Sequence, residues 1–194
     1  MIGAILCGGQ STRMGKDKGL LQLNKNNWAQ IAADKLAIFH LPIVLSVNSK
    51  QYDEYSTVFN AIQLIRDNET LEIHGPLCGI LSVHEKNSQE DLFALACDMP
   101  LMESIILQKL FENYKSNPGY QAYLFTTDGE PEPLCAIYTS QGLSAIMEIY
   151  QKGKLVRHSM KFMLELLHCF FIPASEAEKK FFLNVNAHAE LNGL

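Results

Sequence analysis

Residues 8 to 18, GGQSTRMGKDK, follow an apolar run, AILC, near the start of the chain. Adjacent Gly8 and Gly9 let the backbone approach a ligand closely. Exposed N–H groups in such a turn form an anion cradle. Arg13, Lys16 and Lys18 add positive charge to the same loop. Guanidinium suits phosphate through paired hydrogen bonds, and lysine serves as a mobile point charge. The loop chemistry therefore fits a polyphosphate. The spacing is not that of a Walker A loop, because Met14 stands where its second glycine belongs. Nor is it GxGxxG.

A second segment, CDMPLM at 97 to 102, sets Asp98 directly after the apolar run Leu92 to Cys97. Such a carboxylate is costly to desolvate unless it is paired or metal-bound. Opposite a phosphate cradle its natural partner is Mg²⁺, which takes one or two carboxylates and completes its shell with phosphate and water. A helix N-cap is the competing reading for Asp98, since aspartate is favoured there and a helix follows.

Both segments need a scaffold. Apolar runs at 1–7, 41–48, 61–67 and 91–100 read as buried strands, and helical spacing over 28–39, 50–59, 75–86 and 103–115 alternates with them. This alternation predicts an α/β fold with a mostly parallel, Rossmann-like sheet in a three-layer αβα sandwich. In such sheets ligands bind outside the carboxyl ends of the strands. Gly8 to Lys18, Asn48, Asp67 and Asp98 would then share one edge. Farther on, 120–139 reads as two strands around Asp128–Gly129, 140–152 as a helix and 167–174 as a strand. Residues 181–191 read as a short strand, a turn and a helical turn.

With 194 residues and no linker or repeat, one domain is expected, its nucleotide-binding half at about 1–100 and its acceptor-binding half at about 101–194. Apolar residues make up 47% of the chain and charged residues 19%, a globular composition. A net charge of -5 argues against a nucleic-acid partner. No run approaches the roughly 18 apolar residues of a membrane span, and Met1 enters a strand directly, so a cytoplasmic protein with no membrane partner is expected. Five scattered cysteines read as free thiols, and the six histidines lack ligand spacing.

With these residues in place, the chain resembles a known family. GGQSTRMGKDK is similar to the GGxSxRMGxDK signature of molybdenum cofactor guanylyltransferases, the MobA-type enzymes. Asp67 closes a third strand as in that family. GPLCGI at 75 to 80 resembles its GPLAGI segment, CDMPLM its CDxPxx segment, and NVNAHAEL at 184 to 191 its NxNTPEDL ending. The resemblance covers nearly the whole chain. It departs at Lys25-Asn26-Asn27-Trp28, where the family often has Lys-Pro-Leu, and at Ala187 to Glu190, where the usual threonine and proline are missing.

The resemblance implies a nucleotide-diphospho-sugar transferase-like fold and transfer of GMP from GTP to molybdenum-molybdopterin, releasing pyrophosphate. By position, Leu6, Cys7, Gly8 and Gly9 would meet the nucleotide. Arg13 and Lys18 would hold the triphosphate, with Lys18, Arg13 and Asp98 as the catalytic set. Asn48 and Asp67 would contact the nucleotide, with Asp67 a candidate acceptor for guanine N–H groups. Asp98 would hold Mg²⁺, with Asn186 near the metal. Lys152, Lys154, Arg157 and Lys161 could meet the pterin phosphate, or form a solvated basic helix. Implied partners are GTP, molybdenum-molybdopterin and proteins that deliver or accept the cofactor. The alternatives are a related nucleotidyltransferase with another triphosphate or a sugar or polyol phosphate acceptor, a cytidylyltransferase for molybdopterin, and a catalytically weak nucleotide-binding regulator.

Overall fold

The computed structural model describes residues 1–8, 17–23 and 25–184. Gly9, Arg13 and Asn186 of the expected site lie outside the described residues.

Strand β1 (Ile2–Leu6) is buried along its whole length. A short antiparallel ribbon, β2 (Gln22–Leu23) with β3 (Asn26–Asn27), leads into α1 (Trp28–Ala37). The Asn27 side chain caps α1 by accepting from Gln30 N. Strand β4 (Ile43–Val47), α2 (Tyr52–Ser56), β5 (Leu64–Arg66), α3 (Pro76–Lys86) and β6 (Leu92–Ala96) complete the first half. Pro76 begins α3, where a missing N–H leaves no bond unmade. Then come α4 (Ser104–Ser116), β7 (Ala122–Thr127), β8 (Glu130–Tyr138), α5 (Ser140–Gln151), α6 (Met160–Glu165) and β9 (Cys169–Pro173).

Seven strands form one sheet in the order β5-β4-β1-β6-β8-β7-β9. β1 pairs in parallel with β4 and β6, β4 with β5, and β7 with β9. Only β8 runs against its neighbours. Alternate residues of each strand enter opposite cores. Ile5, Leu45, Phe93 and Leu95 pack with Ala29, Leu36 and Leu107 on one face. Ile2, Ala4, Leu92 and Ala94 pack with Leu77, Ile80 and Leu143 on the other. Burial on both faces is why these strands read as continuous apolar runs. The fold is the expected αβα sandwich.

Three local features differ from expectation. Residues 61–63 are a 3₁₀ turn before β5, because the Asn60 side chain accepts from Ile62 N and Ile62 stays exposed. Phe181 and Phe182 lie in a second such turn, Lys179–Phe182, and bury their rings instead of extending a strand. A basic helix over 151–163 is not formed as such: of the four cations only Lys161 lies in a helix, α6, which Ser159 caps by accepting from Phe162 N.

Among the described residues no helix is long and apolar enough to cross a membrane. All five cysteines are free thiols.

Candidate active site

Parallel pairing brings the carboxyl ends of β5, β4, β1 and β6 to one edge. The ladder continues one residue past the strands: Cys7 N donates to Ser46 O, Cys97 N to Leu6 O and Asp67 N to Val47 O. Leu6, Cys7, Gly8, Asn48, Asp67 and Asp98 are therefore neighbours through the sheet, although they are scattered in sequence.

Lys18 joins them through space. Its Nζ stands 3.7 Å from Asp98 Oδ2, and the two side chains are 25% and 23% exposed. Burial pushes the Asp98 carboxyl above its ordinary range, and the Lys18 charge only partly opposes this. Asp98 is thus a carboxylate with less compensating positive charge than its burial calls for. It is not a helix cap: α4 is preceded by Glu103, five residues farther on.

Asp67 follows the end of β5, where its amide donates to Val47 O. Its Oδ1 accepts a 2.6 Å hydrogen bond from Ser46 Oγ. Its Oδ2 lies 3.1 Å from where a Cβ on residue 8 would sit, so the carboxylate reaches the backbone at the end of β1. Burial raises its pKa, against the lowering effect of Ser46. The close approach of Gly79 keeps this pair in place: a Cβ there would fall 2.4 Å from Ser46 Oγ.

Gly8, Asn48, Asp67, His74, Gly75 and Cys78 are among the residues that line a cavity of about 390 Å³. That is within the size range of small-molecule sites. The ring of His158, in the basic stretch, stands 6.2 Å from that of His74, so residues near 158 approach the same cavity. Within the stretch, Lys161 pairs with Glu130 and Lys152 with Glu148, while the Arg157 guanidinium lies over the Phe162 ring.

Sequence reasoning missed a second polar cluster beside Lys18. Asp17 Oδ1 accepts from Gly19 N at 2.9 Å and from Tyr55 Oη at 2.6 Å, and Oδ2 accepts from Gln51 Nε2. Gln51 Nε2 also donates to Cys7 O at 2.9 Å, and its Oε1 accepts from Asn48 N at 3.0 Å. Asp17 was visible as an acid between two lysines and as the aspartate of the GGxSxRMGxDK signature, with no role attached to it. No spacing in the sequence links it to Gln51 and Tyr55, which lie 34 and 38 residues on.

Among the described residues there is no cluster of three or more His, Cys, Asp and Glu side chains able to hold a metal.

The description MobA-like NTP transferase domain matches residues 3–167. A probable molybdenum cofactor guanylyltransferase from Halalkalibacterium halodurans is 27% identical over 193 residues, spanning 98% of this chain and 96% of the relative. The molybdenum cofactor guanylyltransferase of Campylobacter jejuni is 25% identical over 186 residues, 96% of this chain and 91% of the relative. Among solved structures, molybdopterin-guanine dinucleotide biosynthesis protein A from Archaeoglobus fulgidus superposes with a TM-score of 0.75 at 22% identity, covering 100% of this chain and 96% of its own. A cytidylyltransferase from Leptospira borgpetersenii gives 0.67 at 16% identity, over 96% and 81%. Those two likenesses are of fold. The same scaffold serves proteins named for different nucleotides.

Proposed function

The chain belongs to the MobA-like NTP transferase family, and from that premise we propose that it transfers GMP from GTP to molybdenum-molybdopterin, giving the guanine dinucleotide form of the cofactor and pyrophosphate. The reading is supported by the names of its near full-length relatives. The observation that carries it is the meeting of Lys18 and Asp98 at 3.7 Å beside the strand ends. A binding-only protein has no need of a half-buried carboxylate facing a lysine there.

The terminal phosphate oxygen of the pterin attacks the α-phosphorus of GTP. A new P–O bond forms as the bond to the β-phosphate oxygen breaks, and pyrophosphate leaves. Positioning and charge neutralisation provide most of the catalysis in such transfers. Lys18 neutralises charge developing on the α-phosphate and the leaving group, and Arg13 holds the triphosphate. Backbone groups of Leu6, Cys7, Gly8 and Gly9 line the nucleotide's path. Asn48 contacts the nucleotide. Asp67, held by Ser46, accepts from the guanine N1–H and amino group.

Asp98 would hold Mg²⁺, with Asn186 a further candidate ligand. The ion supplies charge neutralisation on the polyphosphate when bound. The fit rests on the donor chemistry: Asp98 is a hard oxygen ligand whose charge Lys18 compensates only in part. Lys154 and its neighbours in the basic stretch would meet the pterin phosphate, a reading supported by the approach of His158 to His74 of the cavity lining at 6.2 Å.

A thermal-shift comparison of GTP, CTP, UTP and ATP, each with and without Mg²⁺, tests the nucleotide assignment. Stabilisation by GTP with Mg²⁺ above the other three is expected. A preference for CTP would move the protein to cytidylyl transfer. A GTP shift indifferent to Mg²⁺ would make it a binding protein.

A further inference from the structure

The cluster around Asp17 does no chemistry in the mechanism above, yet it touches three of the segments that build the site. Asp17 accepts from the Gly19 amide, the Tyr55 hydroxyl and the Gln51 amide. Gln51 reaches the Cys7 carbonyl with the same nitrogen and takes the Asn48 amide proton on its oxygen. Asn48 returns the contact by accepting from Gln51 N at 3.1 Å. Gln51 and Tyr55 are i, i+4 neighbours on and just before α2, so they face the same way. Tyr55 is fully buried and Gln51 nearly so. Burial, ahead of nearby Cys7, Cys97 and Asp17, pushes the Tyr55 phenol far above its ordinary range, so it stays a proton donor.

Gly19 supplies a separate observation. Its φ is unremarkable, but a Cβ there would fall 2.0 Å from Tyr55 Oη and 3.2 Å from Cys97 Sγ. The space a side chain would need is filled by the hydroxyl that holds Asp17. The backbone after Lys18 is therefore pressed against Tyr55, and only glycine admits this.

We propose that Asp17, Gln51 and Tyr55 form a clamp that fixes the backbone of Lys18 relative to the end of β1, making them positioning residues for nucleotidyl transfer. The proposal rests on the functional reading above. The reasoning is mechanical. Lysine has a long stem with several rotatable bonds, so its ammonium is aimed only as well as its backbone is held. Asp17 is one peptide bond from Lys18 and caps the 3₁₀ turn Lys18–Leu20 that carries it. Its carboxylate takes three donors, one from its own turn and two from α2 and the residue just before it, a network worth more intact than in pieces. Release of this clamp would let Lys18 swing away from the charge it neutralises. That charge is largest in the transition state, so the loss should appear in kcat more than in KM.

The test uses the full chain with Asp17→Asn, Tyr55→Phe, Lys18→Ala and the double variant Asp17→Asn/Lys18→Ala. Steady-state guanylyl transfer and melting temperature are measured for each. Tyr55→Phe deletes one oxygen and keeps the ring; it carries the test should Asp17→Asn not fold. A fall in kcat of on the order of 10-fold to 100-fold is expected for the two clamp variants, since misplacement of about 1 Å has effects of that size. KM for GTP should stay within about threefold, and Asp17→Asn should cost nothing further once Lys18 is gone. Turnover within about twofold of the unaltered protein, or an equal loss from Asp17→Asn in the Lys18→Ala background, overturns the proposal.

Hydrogen exchange at the Gly19 amide gives an activity-free reading. Exchange should quicken in Tyr55→Phe, and unchanged exchange there also overturns the clamp. An unaltered protein that makes no guanine dinucleotide would instead sink the functional reading, whatever the exchange shows.

Discussion

Lys18 and Asp98 lie 80 residues apart in sequence, and their charged groups meet at 3.7 Å on the carboxyl edge of the sheet. Lys18 arrives on the turn that follows the glycine-rich loop, and Asp98 at the end of the buried strand β6. Neither would otherwise be near the other.

Lys18→Ala and Asp98→Ala are each expected to lower kcat by on the order of 100-fold or more, the size seen when one preorganised charge-stabilising group is removed. Both side chains are partly exposed, so the fold should survive. Circular dichroism and melting temperature check the fold, and pyrophosphate release checks turnover.

The raised pKa of Asp98 has a sign that can be tested. A carboxyl pushed up by burial binds its proton more tightly folded than unfolded. Stability then falls as pH rises from the ordinary value of 3.8 through the folded value, and at neutral pH the full cost of the charge is present. Asp98→Asn removes that cost. Its nucleotide-free form should melt higher than the unaltered protein at about pH 7.5, with the difference shrinking as pH falls toward about 4. A variant that melts lower at neutral pH would mean that the pairing with Lys18 outweighs burial.

Asp67 and Ser46 should govern base choice. Asp67→Asn leaves one acceptor where guanine presents two donors, and the preference for GTP over CTP should fall by on the order of 100-fold. Ser46→Ala deletes the hydroxyl that donates to Asp67 Oδ1. A rise of about tenfold in KM for GTP with kcat little changed is expected, the scale of one hydrogen bond to a charged group. Competition between the two triphosphates in one reaction gives the ratio directly.

Gly79→Ala should act at the same place from behind. Its Cβ would meet Ser46 Oγ at 2.4 Å, within a helix wholly buried at that point. Destabilisation of about 1–3 kcal/mol is expected from overpacking. Denaturant titration reads the stability, and KM for GTP should rise alongside it.

The parts of this site visible from sequence are those set by backbone periodicity. β1, β4 and β6 are buried on both faces, which forces continuous apolar runs, and the residue types at their ends break those runs sharply. Hence Gly8, Asn48 and Asp98 could be placed on one edge before any coordinates. The clamp was not visible, because Gln51 and Tyr55 reach Asp17 only through the angle at which α2 returns toward β1, and no periodicity encodes that angle. Ser46 was hidden differently: it sits within an apolar strand and reads as a tolerated small residue until Asp67 on the neighbouring strand end is seen to need it. Phe181 and Phe182 read as strand because alternation cannot separate a short apolar strand from a turn that buries two rings.

The most direct measurement is to incubate the protein with GTP, Mg²⁺ and molybdenum-molybdopterin and to quantify pyrophosphate together with the dinucleotide cofactor. The account predicts the two products in equal amounts, with both lost in Asp98→Ala. Pyrophosphate without dinucleotide, no product with GTP, or full activity in Asp98→Ala would contradict it.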